Sequence, residues 1–281
     1  MNETYQKLKE IQSQKQSIIC VGLDTSESKL PHHLQSATDG ILHFNREIIE
    51  ATHDLACAYK INFAFYEQLG ADGFNILKKT FEMLPKDAVS IADAKRGDIG
   101  NTSESYAFSV FEYFGADSIT VNPYMGSDSV APFLKFNDKM VFLLALTSNP
   151  GSADFQRLES GGKPVYQHVI EKSKLWGSGV GNYKIPDPSP QSPVPSPQIG
   201  YVVGATHPEE LREVRTIAPS SYFLIPGIGA QGGDIAATMK ANDGKPAIIN
   251  VSRGIIYASN GKDFAEKARK QAEYYRDACK E

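Results

Sequence analysis

The segment AVSIADAKRGDIG, residues 88–100, changes from apolar to charged within a few positions. Its first half has the length and the Val and Ile content of a β-strand, and its second half carries Asp93, Lys95, Arg96 and Asp98. Near-continuous apolar runs of this kind are typical of parallel strands covered on both faces. The segment therefore predicts a buried parallel strand. The charges at its end are either a solvated turn or part of a functional site.

Apolar runs of strand length recur along the whole chain. Seven further apolar runs have strand length, at 17–24, 57–64, 118–122, 140–146, 199–205, 222–228 and 247–252. Segments with helical spacing separate several of them, at 41–56, 74–84 and 207–218, and a last helix is predicted over 262–278. Eight β/α units in a chain of 281 residues predict a single-domain TIM (β/α)8 barrel spanning 1–281. A doubly wound open sheet is the alternative, but the first strand leads into GLDTSESKLP rather than a GxGxxG turn.

One segment breaks the alternation of strands and helices. Residues 186–198, PDPSPQSPVPSPQ, contain six prolines and no apolar periodicity. We expect a proline-rich surface insertion at about 180–198, and favour it over a ligand for an SH3-type domain, since nothing else in the sequence indicates signalling.

Composition narrows the classes of partner. The net charge of -4 argues against a nucleic-acid surface, and no apolar run approaches the length of a membrane span. Cys20, Cys57 and Cys279 show no metal-binding spacing and fit a reducing, cytoplasmic location. None of the six histidines follows a predicted strand with a carboxylate at ligand spacing, so we predict no metal site. No GxSxG elbow is present, which argues against a serine hydrolase.

Polar side chains follow several predicted strands, where TIM barrels carry their active sites. They are Asp24, Lys60, Asn62, Asp93, Lys95, Asp98, Thr147 and Ser148. Residues two apart on a strand face the same way, so Lys60 and Asn62 share one face, as do Asp93 and Lys95. Two lysines and two aspartates can pair alternately at the barrel mouth. A purely structural ion-pair network is the alternative interpretation.

The last two strands end in a predicted phosphate site. PGIGAQGG, residues 226–233, follows the seventh strand, and Arg253 follows the eighth. Glycine lets backbone N–H groups approach an anion, the following helix offers a positive N-terminus, and arginine can donate to phosphate in a bidentate manner. A tight turn and a surface ion pair are the alternatives.

DAKRGDIGNT resembles the Asp-x-Lys-x-x-Asp signature of the orotidine 5'-monophosphate decarboxylase family. GLD (22–24), YKINFAFYE (59–67), TSNPG (147–151), PGIGAQGGD (226–234) and NVSRGI (250–255) follow in family order. The similarity covers roughly 17–257 and is strongest to the longer-chain branch. It implies a cofactor-independent loss of CO2 from C6 of orotidine monophosphate, giving uridine monophosphate.

The resemblance also implies roles for individual residues. Lys95 stabilises and protonates the C6 carbanion, Asp93 lies near the departing carboxylate, and Lys60 and Asp98 complete the charge array. Asp98 is contributed by the neighbouring subunit of a homodimer. The resemblance gives Arg96 no role; strand parity places it opposite Lys95, so we expect it to be structural, at or near the dimer contact. The remaining implied contacts are to ribose from Asp24, Lys60, Asp98 and Thr102, to the pyrimidine from Ser148 with Thr147 beside it, and to phosphate from Gln231 and Arg253. Asn62 is added because it shares a face with Lys60.

Two rival functions remain at this point. The first is a Mg²⁺-dependent sugar-phosphate decarboxylase or aldolase of the same superfamily, although Lys60 stands where that group carries an acidic residue and would repel a divalent cation. The second is a phosphate-ligand-binding barrel without catalysis, against which the complete set of lysines and aspartates argues.

Overall fold

A computed structural model describes residues 2–35, 37, 39–176, 198–229 and 232–280. Eight parallel strands close into a barrel in the order β1-β8-β7-β6-β5-β4-β3-β2. They are β1 Ile19–Gly22, β2 Ala58–Asn62, β3 Val89–Arg96, β4 Ser118–Val121, β5 Met140–Leu146, β6 Ile199–Val203, β7 Phe223–Pro226 and β8 Ala247–Val251. Closure of the sheet confirms the TIM barrel and excludes the open doubly wound sheet.

Helices follow the strands around the outside of the barrel. Within the described residues they are α1 Glu3–Lys15, α2 His32–Gln35, α3 Gly40–Thr52, α4 Ala64–Glu67, α5 Gly70–Glu82, α6 Gly100–Phe108, α7 Ser127–Leu134, α8 Val165–Ser173, α9 Pro208–Ile217, α10 Ile235–Asn242, α11 Arg253–Ile256 and α12 Phe264–Ala278. The four helices predicted from apolar spacing are present with slightly different ends. None of the helices in the described ranges is long and apolar enough to cross a membrane.

The strands alternate between two apolar layers. Ala58 on β2 belongs to a cluster inside the barrel, whereas its neighbours Tyr59 and Ile61 pack in the layer between sheet and helices. Burial on both faces explains why the strands read as nearly continuous apolar runs. It also places Lys60, two residues after Ala58, on the inner face.

Helix α1 closes the amino-terminal end of the barrel. Leu8 and Ile11 join the inner cluster, and Gln12 Nε2 donates to the Ala247 carbonyl at 2.8 Å. Asn2 caps the helix by accepting from Tyr5 N. Only a narrow stripe of this polar segment is buried, so its sequence does not indicate the helix. Helix α1 thus covers the amino-terminal end, and the carboxyl ends of the strands form the mouth of the barrel.

The connection between β5 and β6 is the longest in the chain. A short 3₁₀ helix, Pro150–Asp154, a two-stranded hairpin of Glu159–Ser160 with Lys163–Pro164, and α8 follow β5. The predicted proline-rich insertion lies outside the described residues except for Gln198. That side chain is buried and donates to the carbonyls of Leu134 and Phe136 at 3.0 and 2.8 Å.

Candidate active site

Lys60 and Asp93 form the centre of the candidate site. They project from the inner faces of β2 and β3, near the carboxyl ends of these strands, and Lys60 Nζ lies 2.7 Å from Asp93 Oδ2. Their exposed fractions are only 4% and 8%. Because isolated charges are costly to bury, the two groups stabilise each other in place.

Lys95 lies on the other side of the same carboxylate. Its Nζ donates to Asp93 Oδ1 at 2.6 Å, and half of its side chain is exposed at the mouth. Asp93 therefore bridges two ammonium groups, one buried and one accessible. The accessible ammonium can reach a ligand in the mouth while it stays paired.

Regular strand alternation does not produce this contact. Lys95 has a φ of 47°, and the pairing of β3 with β4 shifts register between Ala92 and Arg96. A left-handed backbone at a residue other than glycine costs about 1–3 kcal/mol and persists only where surrounding contacts hold it. The prediction that Asp93 and Lys95 meet is confirmed, but the two-residue spacing that motivated it describes β3 incompletely.

Thr120, on the inner face of β4, holds the irregular end of β3. Its Oγ1 donates to Asp93 Oδ1 at 2.9 Å and accepts from Lys95 N at 3.0 Å. One hydroxyl thus fixes both the carboxylate and the backbone of the adjacent lysine. Thr120 was missed in the sequence because a single threonine in an apolar strand is explained equally well by β-propensity.

Asp24 is the fourth charged side chain and completes a row of alternating charges with Lys60, Asp93 and Lys95. Its Oδ1 lies 3.4 Å from Lys60 Nζ, which also binds Asp93. The Tyr257 hydroxyl donates to the Asp24 carbonyl at 3.1 Å and accepts from Ser26 N at 2.7 Å, which fixes the loop after β1. Within one chain the alternating row is therefore Asp24–Lys60–Asp93–Lys95, and Asp24 takes the place that we expected for Asp98.

Proton affinities in the row follow from these contacts. Burial opposes ionisation of Asp93, but Lys60 and Lys95 outweigh it and hold the pKa of Asp93 well below its usual value. Burial likewise disfavours the charged form of Lys60, but Asp24 and Asp93 raise its pKa well above the ordinary range. Both groups are therefore charged at neutral pH.

Asp98, Thr102 and Asn62 lie at the mouth but outside this row. Asp98 Oδ1 accepts from Ile99 N at 2.7 Å rather than pairing with Lys95, and Thr102 is exposed on α6. The Asn62 Oδ1 accepts from Ala64 N at 3.3 Å, at the start of α4. The chain by itself thus places no contact between Asp98 or Thr102 and the charged row.

The segment directly after β5, Thr147–Ser148, is held by a residue that the sequence did not indicate. Gln156 accepts from Thr147 N and donates to Thr147 Oγ1, both at 2.8 Å. On the opposite side, a Cβ atom at Gly204 would lie 2.8 Å from Ser148 Cβ, so only glycine lets β6 approach this closely. Arg157 donates to both carboxylate oxygens of Glu210 on α9, at 2.6 and 2.7 Å. The loop after β5 is therefore tied down on both sides.

The loops after β7 and β8 lie side by side. A Cβ atom at Gly229 or at Gly254 would meet the same Tyr275 hydroxyl, at 2.7 and 2.8 Å respectively. Arg253 is exposed there and has no ion-pair partner in the described part of the chain. Gln231 lies outside the described residues. The two loops and Arg253 can together receive an anionic group.

The N-terminus of α10 carries a carboxylate of its own. Asp234 caps the helix by accepting from Ala237 N at 2.7 Å. One N–H group of the first turn is therefore already bound, and the negative charge of Asp234 lies at the positive end of the helix.

Arg96 turns away from the mouth. It pairs with Glu67 and lies over the rings of Phe63 and Tyr106, at 5.7 and 5.2 Å from their centroids. The structural role predicted for it therefore has a partner within the chain. Glu67 was not singled out in the sequence, although it closes the YKINFAFYE segment.

A divalent cation does not fit the centre of the row. Lys60 Nζ occupies the space between Asp24 and Asp93, where a metal ion bridging these two carboxylates would have to sit. No cluster of three or more His, Cys, Asp or Glu side chains suited to a metal ion occurs among the described residues.

Comparisons with known proteins agree with this architecture. Residues 17–268 match the model of the orotidine 5'-phosphate decarboxylase / HUMPS family. The chain is 50% identical to the orotidine 5'-phosphate decarboxylase of Christiangramia forsetii, with 96% of this chain and 95% of that protein covered. A solved structure of Leishmania donovani OMP decarboxylase is 35% identical, with a TM-score of 0.78, 98% of this chain and 99% of that one covered.

A second solved structure is longer than this chain. Leishmania donovani UMP synthase is 36% identical with a TM-score of 0.79, and the match covers 98% of this chain but 57% of that one. The barrel thus corresponds to one part of that protein. On the extent of these matches, the chain belongs to the orotidine 5'-phosphate decarboxylase / HUMPS family.

Proposed function

We propose that the chain decarboxylates orotidine 5'-monophosphate to uridine 5'-monophosphate and CO2, the last step of de novo pyrimidine synthesis. The observation that carries this proposal is the row Asp24–Lys60–Asp93–Lys95, in which the central carboxylate is 8% exposed and paired on both sides. Membership of the family and the names of its relatives supply the substrate. A (β/α)8 barrel alone would be compatible with many reactions.

The chemical step needs a cation beside the reacting carbon. The bond between C6 and the carboxyl carbon breaks, CO2 departs, and the electron pair stays on C6. The Lys95 ammonium stabilises this charge and donates a proton to C6, which gives the product. Lys95 then regains a proton from water, which its half-exposed side chain permits. Fixed charges act strongly here because Asp93 holds Lys95 before the reaction begins.

Asp93 has a second effect on the substrate. Its pKa is held far below the usual range, so it stays ionised beside the substrate carboxylate. Two like charges close together raise the energy of the bound substrate, and loss of neutral CO2 relieves the repulsion. Lys60 keeps Asp93 ionised and, with Asp24, faces the ribose hydroxyls.

The rest of the substrate is assigned to the rim. The Thr147–Ser148 step faces the pyrimidine, and Gln231 and Arg253 bind the phosphate, with Asn62 next to the ribose. Binding energy from a remote phosphate can be used to orient the reacting ring. These contributions come from β1 to β8, so we propose that the chain works as one domain, without a cofactor. Free Cys20, Cys57 and Cys279 support a cytoplasmic location.

We further propose a homodimer in which Asp98 and Thr102 reach the partner's site. Around Asp98, the apolar side chains of Ile99, Phe108, Tyr124 and Met125 are 49–86% exposed, an arrangement typical of an interface. Mixing Lys95→Ala and Asp98→Asn chains tests this. In a symmetric dimer that exchanges subunits, about a quarter of wild-type activity should return, since half the dimers then hold one intact site of two. No recovery, with exchange verified, would place Asp98 in its own chain's site.

The activity itself is tested by ultraviolet absorbance. Purified protein in EDTA should consume orotidine monophosphate at the same rate as without the chelator. The Mg²⁺-dependent alternative is disfavoured by the position of Lys60 and predicts that EDTA abolishes turnover. A binding protein without catalysis predicts no loss of substrate under either condition.

A further inference from the structure

The catalytic mechanism leaves the Arg96–Glu67 pair without a function. Arg96 directly follows Lys95, yet its side chain lies over the rings of Phe63 and Tyr106 and pairs with Glu67. About a quarter of the Arg96 side chain and a third of the Glu67 side chain are exposed. Ion pairs that are this exposed to solvent usually contribute little to stability. A role for the pair therefore depends on its other contacts.

The decisive contact is to the backbone. Arg96 Nη1 donates to the Ala94 carbonyl at 3.2 Å, so the guanidinium closes a small loop around Lys95. Lys95 is the residue with the left-handed φ of 47°, and the strand register shifts at this point. The guanidinium therefore fastens the backbone on the amino-terminal side of an unfavourable conformation.

The backbone beyond Lys95 is held by β4. Asn122 N donates to the Arg96 carbonyl at 2.8 Å, and a Cβ atom at Gly97 would lie 2.9 Å from the Asn122 carbonyl oxygen. Backbone contacts thus fix the carboxyl-terminal side of Lys95. On its amino-terminal side, Thr120 Oγ1 accepts from Lys95 N, and the Arg96 side chain binds the Ala94 carbonyl of the same peptide group. Loss of the Arg96 side chain would remove one of these two contacts and weaken the hold on the left-handed conformation.

Glu67 anchors the Arg96 guanidinium to a second element of the barrel. It is the last residue of α4, which follows β2 and therefore Lys60. The ion pair consequently joins the connection after β2 to the end of β3. The two lysines that flank Asp93 come from these same two strands.

We propose that Arg96 and Glu67 form a positioning pair that keeps Lys95 in its left-handed conformation beside Asp93. This rests on the proposed decarboxylation, in which Lys95 delivers the proton. Neither Arg96 nor Glu67 touches the substrate. Their effect should appear in the chemical step rather than in substrate binding, because the proposed phosphate contact of Arg253 follows β8 and the ribose-facing Asp24 and Lys60 are held by their own pairing.

The test compares kcat and KM for orotidine monophosphate in Arg96→Ala, Glu67→Ala and the double variant. A misplaced reacting group can cost about 100-fold in rate, so we expect kcat to fall about 10- to 100-fold in each single variant. KM should change less than about threefold, since the contacts that bind substrate and transition state equally are unchanged. The double variant should be no slower than Arg96→Ala, because both single changes break the same ion pair and their effects are therefore not additive.

Conservative variants and a control sharpen the result. Arg96→Lys keeps the charge but cannot bind Glu67 and the Ala94 carbonyl with one planar fork, so its kcat should stay low. Glu67→Gln keeps an acceptor and should recover part of the rate. Arg269→Ala breaks the pair between α12 and Asp54, which lies in the turn between α3 and β2, and should leave kcat unchanged.

Unchanged kcat in Arg96→Ala and Glu67→Ala, even with a lower melting temperature, would reduce the pair to a structural role and overturn the proposal. If either alanine variant fails to fold, the kcat values of Arg96→Lys and Glu67→Gln decide in the same way. Failure of the proposed function is seen separately, as a wild-type protein that does not consume orotidine monophosphate.

Discussion

Lys60 Nζ lies between two carboxylates, 2.7 Å from Asp93 Oδ2 and 3.4 Å from Asp24 Oδ1. These charges meet because β2 is paired with both β1 and β3, with Gly22 opposite Lys60 and Asn62 opposite Asp93. Sequence neighbours could not supply this arrangement. The pairing of β1, β2 and β3 brings three polar strand ends into one alternating row of charges.

Removing the central cation should destabilise the fold. Lys60→Met keeps the volume but leaves the Asp24 and Asp93 carboxylates facing an apolar group. Breaking a buried pair in this way costs about 3–5 kcal/mol, which urea unfolding should show as a reduced free energy of unfolding. Lys270→Ala, which loses an exposed pair with Glu266, should cost no more than about 0.5 kcal/mol. Equal stability of the two variants would show that the row is not energetically coupled.

The Thr120 hydroxyl should matter for rate more than for folding. Thr120→Val keeps the shape but removes the bonds to Asp93 Oδ1 and Lys95 N. The hydrogen bond to the Asp93 carboxylate is worth about 1.5–3 kcal/mol, so we expect kcat to fall about 10- to 100-fold. Thr120→Ser should restore most of the rate in steady-state assays. A valine variant as fast as wild type would remove Thr120 from the site.

Gln156 should control substrate binding through Thr147. Gln156→Ala removes the two 2.8 Å bonds that fix the step after β5. With about 1 kcal/mol for each bond, KM for orotidine monophosphate should rise about 3- to 30-fold. Gln14→Ala, on the exposed face of α1 at the closed end of the barrel, serves as the matched control and should leave KM unchanged. A KM for Gln156→Ala equal to that of the control contradicts this role.

Asp93 should remain ionised at acidic pH. Lys60 and Lys95 lower its pKa despite burial, so its stabilising contribution is complete above the ordinary aspartate pKa of about 3.9. That contribution is lost only as the pH falls through the lowered pKa of the folded state. The side-chain carboxyl ¹³C signal, assigned by comparison with Asp93→Asn, should not shift between pH 8 and pH 4. A titration midpoint at or above pH 4 would show that Lys60 and Lys95 do not outweigh the effect of burial on Asp93.

Much of the barrel could be predicted from the sequence, because strands that are buried on both faces appear as nearly continuous apolar runs. The apolar run ending in Asp93 became β3, and the parity of Lys60 correctly placed it on the inner face of β2. Helix α1 was not indicated, since burial of Leu8 and Ile11 depends on the barrel end that they cover. Local periodicity carries no information about that distant surface.

The same limit applies to the site. Lys60, Asp93 and Lys95 stand out because charges rarely follow buried strands without a reason. Thr120 and Gln156 do not stand out, since hydroxyl and amide side chains are ordinary on strands and in loops. The left-handed backbone of Lys95 was also invisible, because it results from the shifted pairing of β3 with β4. Features that depend on two elements meeting require the structure.

The most direct test of the proposed mechanism is single-turnover conversion of orotidine monophosphate by Lys95→Ala in EDTA, with enzyme in excess over substrate. We expect the variant still to bind the substrate through the ribose and phosphate contacts. We also expect it to convert the bound substrate at least about 1,000-fold more slowly than wild type, since it lacks both the proton donor and the stabilising charge. Conversion at the wild-type rate would show that Lys95 does not perform the chemical step and would contradict its assignment as the proton donor.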